Sequence, residues 1–587
     1  MTLLPPAAPT MLTETTETAA RHVGAWASRA VDDPAVQRRR DRVLTAAVAA
    51  VAMVVYQRSL LPGIGYSGDV VKWQYMSVTG GVPHATGEPV WVALIQLWGT
   101  IVPFGTAAWK TNLLSATLGA AAVTVLFRLL RILGVRRTVA AATAITFAVS
   151  PTFWTQASIA EVYTLHILFA ASVTLCLAKW RMGAANGWLI AGIAIYSLSF
   201  GHHLMTVLAM PGIAWLVWSD RRRALTLRNA PWVLLFVALA VGPYLYLLYM
   251  SDVGGYVEVP LRGFADLWDL VRGGEFKDEM WGFGVFDLLQ YRLPLLGEIV
   301  GAEYLLLQAP IAYGIWRGLR ADKPHRDVSI HLMSLGLLSA VFATNYNVFD
   351  VEVFFLPLLF VLAVFLGLGL EGMIHWSQQH YPGHVRMAWG AVAALVAIPL
   401  MTGVVDYRRA SQRGNIEDAA RVERTLDVAG SDALILTDTY QETQYVDYYL
   451  HVDRLAETRN LATVYRLGVS VEDVERYLWG CEGRIARAAQ RMDGVPRPAL
   501  FTGIPAQAEA LEEAGVEVDE VADDVWRVPS SQTPDLPEGT GSESASASES
   551  SGATTRDERD DLESLSCTAL PDAARPGQSS SDVPGRA

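Results

Sequence analysis

Cysteine is nearly absent from this chain, and charged residues are scarce. The 587 residues include three cysteines, Cys176, Cys481 and Cys567, which are far apart and form no CxxC pair. This spacing excludes a disulfide framework and a zinc site built on cysteine. Charged residues make up 18% of the chain, below the roughly 25% of typical soluble domains. The shortage of charge points to a membrane protein.

Apolar residues are what the chain has in abundance. They make up 52% of it, and 18 Trp and 21 Tyr supply rings of the kind that lie at membrane interfaces. Because about 20 apolar residues cross a bilayer, we predict about eleven transmembrane helices. They lie near 43–61, 108–133, 138–156, 159–178, 187–200, 203–218, 230–250, 295–316, 328–346, 352–372 and 385–405. A shorter run at 89–104 is predicted to be interfacial or re-entrant.

Basic residues fall on every second connection between these spans. The clusters are Arg38–Arg40, Arg128–Arg137, Lys179 with Arg181, Arg221–Arg228 and Arg317–Arg326. By the positive-inside rule these connections are cytoplasmic. The rule places segment 1–40 in the cytoplasm and everything after about residue 405 outside, with the protein in the plasma (inner) membrane. We interpret the first span as a retained signal anchor rather than a cleaved signal peptide.

The predicted fold class is an α-helical polytopic membrane protein with a C-terminal soluble α/β domain and a disordered acidic tail. The transmembrane domain covers 41–407 and the extracytoplasmic α/β domain covers 408–530. In the latter, strand-like runs at 433–438, 461–465 and 498–503 alternate with helical patterns near 441–451, 471–492 and 505–514. That alternation predicts a small, mostly parallel sheet. The Ser/Glu/Asp-rich tail, 531–587, has too few apolar residues to fold.

A polar island at 66–89 follows the first span, on the first outer loop. Asp69 precedes an amphipathic stretch, so it either caps a helix or acts at the membrane surface as a base or metal ligand. His84 is a candidate for phosphate binding, for proton transfer or for a structural role. Glu88, between Gly87 and Pro89, is expected to be more exposed.

Other outer connections carry further polar candidates. Glu161 stands in an apolar run, where a carboxylate costs roughly 2.5–3.5 kcal/mol without a partner. It either pairs with another helix or lines a polar cavity. Arg272 and Lys277 match phosphate oxygens in chemistry, the alternative being a solvated charge run. His202 and His203 form an outer pair that is weak evidence for a metal.

Asp350 and Glu352 lie on the same outer face, so several polar groups converge over one bundle. The predicted catalytic residues are Asp69, Glu161 and Glu88. The predicted substrate-binding residues are His84, Arg272, Lys277, His202, His203, Asp350 and Glu352. No metal-ligand set is assigned and no cofactor is firmly implied, and a divalent cation remains an open alternative.

Long ordered motifs add a resemblance. They are S-G-D at 67–69, H-x-x-G-x-P at 84–89, PFG-x-x-A-W-x-x-N-L-L-S-A at 103–116, SPTFW-x-Q-A-x-x-AEVYTL at 150–165 and Y-x-x-x-D-x-E-x-x-x-LP at 346–357. From about residue 60 to 372 the chain resembles the transmembrane glycosyltransferases related to the animal O-mannosyltransferase of plexin-type domains, in the glycosyltransferase-C superfamily. The resemblance implies a polyprenyl-phosphate-linked sugar donor and an acidic residue of the first outer loop, here Asp69, at the reaction centre. Tyr66 departs from the acidic residue common before Ser-Gly in relatives.

The function predicted from residues and resemblance together is an inverting glycosyltransferase. It moves a mannose-like sugar from a polyprenyl phosphate to a protein or glycan hydroxyl outside the cytoplasm. The expected partners are the lipid-linked donor, that acceptor and the bilayer, with no nucleic acid. Two alternatives stay open, namely a transporter or flippase of a lipid-linked or anionic solute, and a degenerate relative that only anchors the soluble domain.

Overall fold

The computed structural model describes residues 34–65, 68–381, 385–437, 440–463 and 498–528, with six single residues between 474 and 492. Several predictions therefore lie outside the described residues. They concern most of segment 1–40, the departure at Tyr66, most of the helical pattern at 471–492 and the disordered tail 531–587.

Helices dominate the described residues between 34 and 410. In chain order they are α1 Pro34–Ser59, α2 Val70–Thr79, α3 Pro89–Ile101, α4 Ala107–Ile132, α5 Arg137–Ala148, α6 Pro151–Gln156, α7 Tyr163–Arg181, α8 Gly187–Ser199, α9 Met210–Ser219, α10 Arg221–Ala224, α11 Trp232–Val253, α12 Phe264–Val271, α13 Val285–Asp287, α14 Leu293–Tyr304, α15 Gln308–Arg320, α16 Lys323–Asn345, α17 Leu356–His380 and α18 Val385–Ala410. Tighter or wider helical turns connect some of them, at Leu204–Ala209, Gly274–Phe276, Leu288–Arg292, Leu305–Leu307 and Val351–Phe355.

Five of these helical segments are long and apolar enough to cross a membrane. They are Ala107–Ile132, Tyr163–Arg181, Trp232–Val253, Lys323–Asn345 and Val351–His380. A pair bent by 97°, Val285–Tyr304 with Gln308–Arg320, raises the number to six within the described part of the chain. The multi-pass helical architecture agrees with the prediction, but the count of eleven spans is not confirmed.

The difference in number has local causes. The run predicted at 138–156 is split into α5 and α6, and Pro151 opens the second piece. The run at 187–200 gives a helix of only 13 residues, α8. At 1.5 Å per residue it reaches about 20 Å, short of the ~30 Å hydrocarbon core. Apolar runs predict burial in lipid or protein, and they do not tell where a helix breaks.

Close packing of the bundle depends on small residues. A Cβ added at Gly314 of α15 would lie 1.9 Å from the Phe365 carbonyl oxygen, and one at Gly369 of α17 would lie 1.9 Å from that of Pro310. Only glycine lets the two backbones approach so closely, as is common in membrane helix pairs.

Ion pairs connect the helices at one end of the bundle. Asp41 of α1 accepts from Arg137 at 2.7 Å and from Arg131 at 3.2 Å. Arg136 pairs with Glu371 of α17 at 2.8 Å, and Arg181 pairs with Asp327 of α16. These arginines come from clusters that the sequence places on alternate connections. The clusters at residues 38–42, 131–137 and 181 thus lie at the same end of the bundle.

Two short strands join distant loops at the opposite end. β1, Gly81–Val82, pairs in parallel with β2, Tyr256–Val257, with Gly81 opposite Tyr256. A Cβ added at Gly81, whose φ is +136°, would lie 1.6 Å from the Tyr256 carbonyl oxygen. Glycine is therefore required where the segment between α2 and α3 meets the long loop 251–293.

The C-terminal part is a mixed α/β unit. Its helices are α19 Glu417–Ala429, α20 Tyr440–Asp447, α21 Leu455–Arg459 and α22 Pro505–Glu513, with a wider turn at Tyr448–Val452. Its strands are β3 Ala433–Leu436, β4 Ala462–Thr463, β5 Ala499–Thr502, β6 Asp519–Ala522 and β7 Val525–Val528, in the order β4-β3-β5-β7-β6. The first three strands are parallel, as predicted, but β7 and β6 are antiparallel. The sheet is therefore mixed rather than mostly parallel.

This unit packs on the bundle end that carries α2 and the loop between β1 and α3. The Gln412 amide donates to the Ser59 carbonyl at 2.9 Å, and the Ala108 amide donates to the Tyr448 hydroxyl at 3.2 Å. The ring of Tyr75 in α2 lies 5.9 Å from that of His451. The boundaries 408–530 stay a prediction.

Candidate active site

Asp69 stands directly before α2, but its side chain does not cap that helix. Its backbone carbonyl accepts from the Trp73 amide at 3.1 Å, and its carboxylate makes no hydrogen bond to the helix backbone. The carboxylate instead lies 2.8 Å from Lys72 Nζ and 2.8 Å from His84 Nε2. The structure therefore favours an electrostatic role for this side chain over the capping alternative.

His84 lies in the loop between β1 and α3, and both of its ring nitrogens face acceptors. Nε2 lies 2.8 Å from Asp69 Oδ2, and Nδ1 lies 2.7 Å from the Ala85 carbonyl oxygen. A carbonyl oxygen can only accept, so the arrangement suits a doubly protonated imidazolium. Burial and the charge of Lys72 lower the pKa of His84, but Asp69 outweighs them and raises the pKa to about 10.

Lys72 completes the cluster from the first turn of α2. Its side chain has no exposed surface, and Nζ lies 3.9 Å from Glu258 Oε2 as well as close to Asp69. Burial disfavours the ammonium, but the two carboxylates outweigh it and raise the pKa of Lys72. Burial likewise acts to raise the pKa of Asp69, and the charges of Lys72 and His84 outweigh it and bring the pKa far below its usual value. Asp69 is thus held ionised.

A cavity of about 990 Å³ opens beside this cluster. Seven of the ten predicted site residues line it, namely Asp69, His84, Glu88, Glu161, His203, Asp350 and Glu352. Apolar and aromatic side chains line much of the remainder, among them Trp73, Tyr163, Phe276 and Trp281. A mostly apolar hollow with a few convergent polar groups is the usual form of a ligand site.

Glu161 lies between α6 and α7 and is 7% exposed. Its amide donates to Ser115 Oγ at 3.1 Å, which fixes the backbone at this point. Burial, followed by the charges of Asp69 and Asp350, raises the pKa of Glu161 well above its usual value. Glu161 thus lines the cavity rather than pairing with another helix, and the shift of its pKa is opposite to that of Asp69.

Glu88 is expected from the sequence to be more exposed, but the structure buries it, with only 5% of its surface exposed. One of its carboxylate oxygens accepts from the Thr86 hydroxyl at 3.2 Å. Burial raises the pKa of Glu88 against the opposing charges of His84 and Lys72. The Gly87 and Pro89 neighbours shape a turn that packs under the long loop, and they do not indicate exposure.

Three predicted residues do not line the cavity. The Arg272 side chain is 61% exposed and pairs with Asp269 on its own helix. Lys277 is exposed on the same loop. His202 has no exposed surface, and its Nε2 lies 2.9 Å from the Val162 carbonyl oxygen. The structure thus favours a solvated charge for the first two and a packing role for the third.

The sequence reasoning did not identify Lys72, Glu258 or Arg409. Lys72 follows Asp69 by three residues on one helix face, a spacing at which opposite charges meet, so a signal existed. Glu258 reaches the site only through the pairing of β1 and β2, for which no local pattern exists. Arg409 lines the cavity from the end of α18. Among the residues described, no group of three or more His, Cys, Asp or Glu side chains is placed to hold a metal ion.

Comparisons with known proteins agree with the resemblance. A family model described as the protein O-mannosyl-transferase TMEM260 N-terminal domain matches residues 73–226. Protein O-mannosyl-transferase TMEM260 of Mus musculus is 27% identical over 450 residues, which cover 70% of this chain. The match spans 60% of the length of the mouse protein.

Solved structures show the fold. ArnT from Cupriavidus metallidurans, bound to undecaprenyl phosphate, has a TM-score of 0.55 and 14% identity, over 84% of this chain and 99% of that one. The apo form of ArnT gives a TM-score of 0.50 and 15% identity over the same shares. The predicted resemblance is confirmed: this chain is similar to the TMEM260 family of O-mannosyltransferases and has a glycosyltransferase-C-like helical membrane fold.

Proposed function

We propose that this chain is an inverting glycosyltransferase that transfers a mannose-like sugar from a polyprenyl phosphate to a hydroxyl of a protein or glycan. The names of its relatives support the sugar and the protein acceptor, and the ligand in the ArnT structure supports the donor class. The observation that carries the proposal is that Asp69 and Glu161 line one cavity, in which their surroundings shift their pKa values in opposite directions. Pairs of carboxyl groups with separated pKa values are typical of acid–base sites.

In the proposed reaction the acceptor hydroxyl attacks the anomeric carbon of the sugar. The acceptor oxygen bonds to that carbon, the bond from carbon to the phosphate oxygen breaks, and its electron pair leaves with the lipid phosphate. The hydroxyl proton passes to the Asp69 carboxylate. Phosphate leaves readily without a strong acid, so protonated Glu161 is assigned to hydrogen bonding with the substrate.

The low pKa of Asp69 fixes the timing of the proton transfer. A carboxylate between Lys72 and His84 is too weak a base to deprotonate a free alcohol. As the oxygen bonds to an oxocarbenium-like carbon, the hydroxyl becomes strongly acidic, and a weak base then suffices. The proton therefore moves late, together with formation of the glycosidic bond.

We further propose that the cavity faces away from the cytoplasm and that the unit at 408–530 holds the acceptor. The ion pairs at the other end of the bundle involve arginines of the basic clusters. Because basic clusters mark the cytoplasmic side of a membrane protein, these ion pairs support the proposed orientation. Transporter sites usually lie near the bilayer midplane. The charged groups of this cavity instead lie next to the first outer loop, which favours transfer over transport.

The test is Asp69→Asn in purified protein, assayed with a panel of labelled polyprenyl-phosphate sugars. Asparagine keeps the size of the side chain but accepts no proton, so we expect a loss of transfer of about 10²–10⁴-fold, with donor binding retained. Asp322→Asn, at a side chain directly before α16 that is 65% exposed, is the matched control and should transfer normally. Full transfer by the Asp69→Asn protein would overturn the assignment of the base.

A further inference from the structure

Lys72 occupies an unusual position for a lysine. Its side chain is fully buried, with Nζ 2.8 Å from Asp69 Oδ1, 3.9 Å from Glu258 Oε2 and 4.6 Å from the centre of the Trp73 ring. Lysine is almost never fully buried unless it is paired. It does not line the cavity, so it reaches the reaction centre only through Asp69.

Glu258 links Lys72 to the rest of the site. The same oxygen that lies near Lys72 accepts the His84 amide at 3.0 Å. Asp69, Lys72, Glu258 and His84 therefore form a closed ring of contacts, in which the His84 backbone amide makes the link to Glu258. The ring joins the start of α2, the loop after β1 and the long outer loop after β2, so three separate segments of chain depend on it.

Stability alone is a poor reason for such a ring. Replacing a buried ion pair by apolar side chains of similar volume is often neutral or stabilising. A ring of this kind has a clearer use next to a reacting group, because fixed charges in a water-poor site act strongly on charge that develops during reaction.

We infer that Lys72 is a positioning residue that fixes the Asp69 carboxylate and supplies positive charge when that carboxylate is neutralised. The inference rests on the proposed transfer reaction. Before reaction, Asp69 and Glu258 together balance the charges of Lys72 and His84. Once Asp69 has taken the acceptor proton, it no longer neutralises the positive charges of Lys72 and His84. At the same stage the lipid phosphate gains negative charge, which those two cations stabilise. Lys72 thus acts on the leaving group through Asp69, without touching it.

The test is Lys72→Met, which keeps the length and apolar stem of the side chain and removes its charge. We expect kcat to fall about 10²-fold, the size typical for loss of one preorganised electrostatic group, while KM for the donor changes little. Lys110→Met is the matched control, because the one contact described for Lys110 Nζ is a hydrogen bond to the Gly99 carbonyl at 3.2 Å. The control should keep wild-type kcat and KM.

Glu258→Gln gives a second measurement if the Lys72 variant does not fold. Glutamine still accepts a hydrogen bond from the His84 amide, but it lacks the negative charge of Glu258. We therefore expect kcat to change while the thermal midpoint of unfolding stays near that of the wild type. An unchanged kcat in either folded variant would overturn the inference. A fall in kcat that only follows a fall in the amount of folded protein would also overturn it.

The wild-type chain separates this failure from failure of the proposed function. Sugar transfer by the wild-type chain combined with wild-type kcat in Lys72→Met contradicts only the role of Lys72. No transfer by the wild-type chain from any polyprenyl-phosphate sugar contradicts the proposed function and this role together.

Discussion

At the scale of single residues, the site separates its carboxyl groups by their neighbours. Asp69 has two cations within 2.8 Å, which lower its pKa, whereas burial and negative neighbours raise the pKa of Glu161. The two groups are of the same chemical kind, so the sequence alone does not distinguish them. Their different roles follow from Lys72, which lies one turn from Asp69 on α2.

The pairing of His84 with Asp69 predicts a pH dependence of stability. The pKa of His84 is 6.5 in the unfolded chain and is raised to about 10 in the folded one. A raised pKa contributes stability that is complete below pH 6.5 and is lost as the pH rises through 10. Asp69, Lys72, Glu258 and Glu88 face the imidazole, and Asp69 stays ionised throughout this window.

His84→Gln should therefore lower the thermal midpoint most at pH 6 and progressively less towards pH 10. The measurement is thermal unfolding of purified wild-type and variant protein at a series of pH values. A difference that is constant from pH 6 to pH 10 would show that His84 contributes by packing, for example against the ring of Phe276 at 5.4 Å, rather than by charge.

Two arginines allow a direct test of where the donor phosphate lies. Arg409 lines the cavity, whereas Arg272 is 61% exposed and pairs with Asp269. Guanidinium groups match phosphate oxygens, so Arg409→Gln should weaken binding of a labelled polyprenyl phosphate about tenfold or more, on the scale of one charge-assisted hydrogen bond. Arg272→Gln should leave that binding unchanged. The reverse order would return the phosphate to the long outer loop.

At the scale of elements, the site is assembled by pairings between distant segments. β1 and β2 are 2 residues long each and join positions 81 and 256. They bring the long outer loop over the first one, so that Glu258 meets His84 and Phe276 and Trp281 cover the cavity. Such short strands have no recognisable pattern in the sequence. Their pairing depends on Gly81, where a Cβ would collide with the backbone of Tyr256.

At this scale the sequence predicts which segments form helices, but not the residues at which those helices begin and end. Apolar runs predict α4, α7, α16 and α17, because a spanning helix needs length and hydrophobicity alone. The polar island around Asp69 and the lone Glu161 stand out because charge in an apolar context is costly. Arg272 does not line the cavity, because a loop position does not determine which way the side chain lies, and its role in phosphate binding stays a prediction. Helix breaks and the antiparallel strands β6 and β7 depend on packing between segments far apart in the chain.

At the scale of the whole molecule, the two ends of the bundle differ in charge. Arg131, Arg137 and Arg181 lie in ion pairs at the end where α4 and α7 finish. The cavity lies at the end where α4 and α7 begin, next to Asp69 and Glu161. The C-terminal unit packs against this second end through Ser59 and Ala108. A lipid-borne donor and a water-borne acceptor would thus meet at the same end.

This polarity predicts the side on which the C-terminal unit lies. The Tyr407 hydroxyl donates to the Arg58 carbonyl at 2.8 Å, and the Gln412 amide donates to the Ser59 carbonyl. The chain therefore leaves α18 next to the end of α1 that is opposite Arg38–Arg40. Since basic clusters lie in the cytoplasm, a reporter that is active only in the cytoplasm should be silent when fused after residue 410. The same reporter fused before residue 34 should be active. An active reporter after residue 410 would invert the orientation, place the cavity on the cytoplasmic side and require a different source of acceptor.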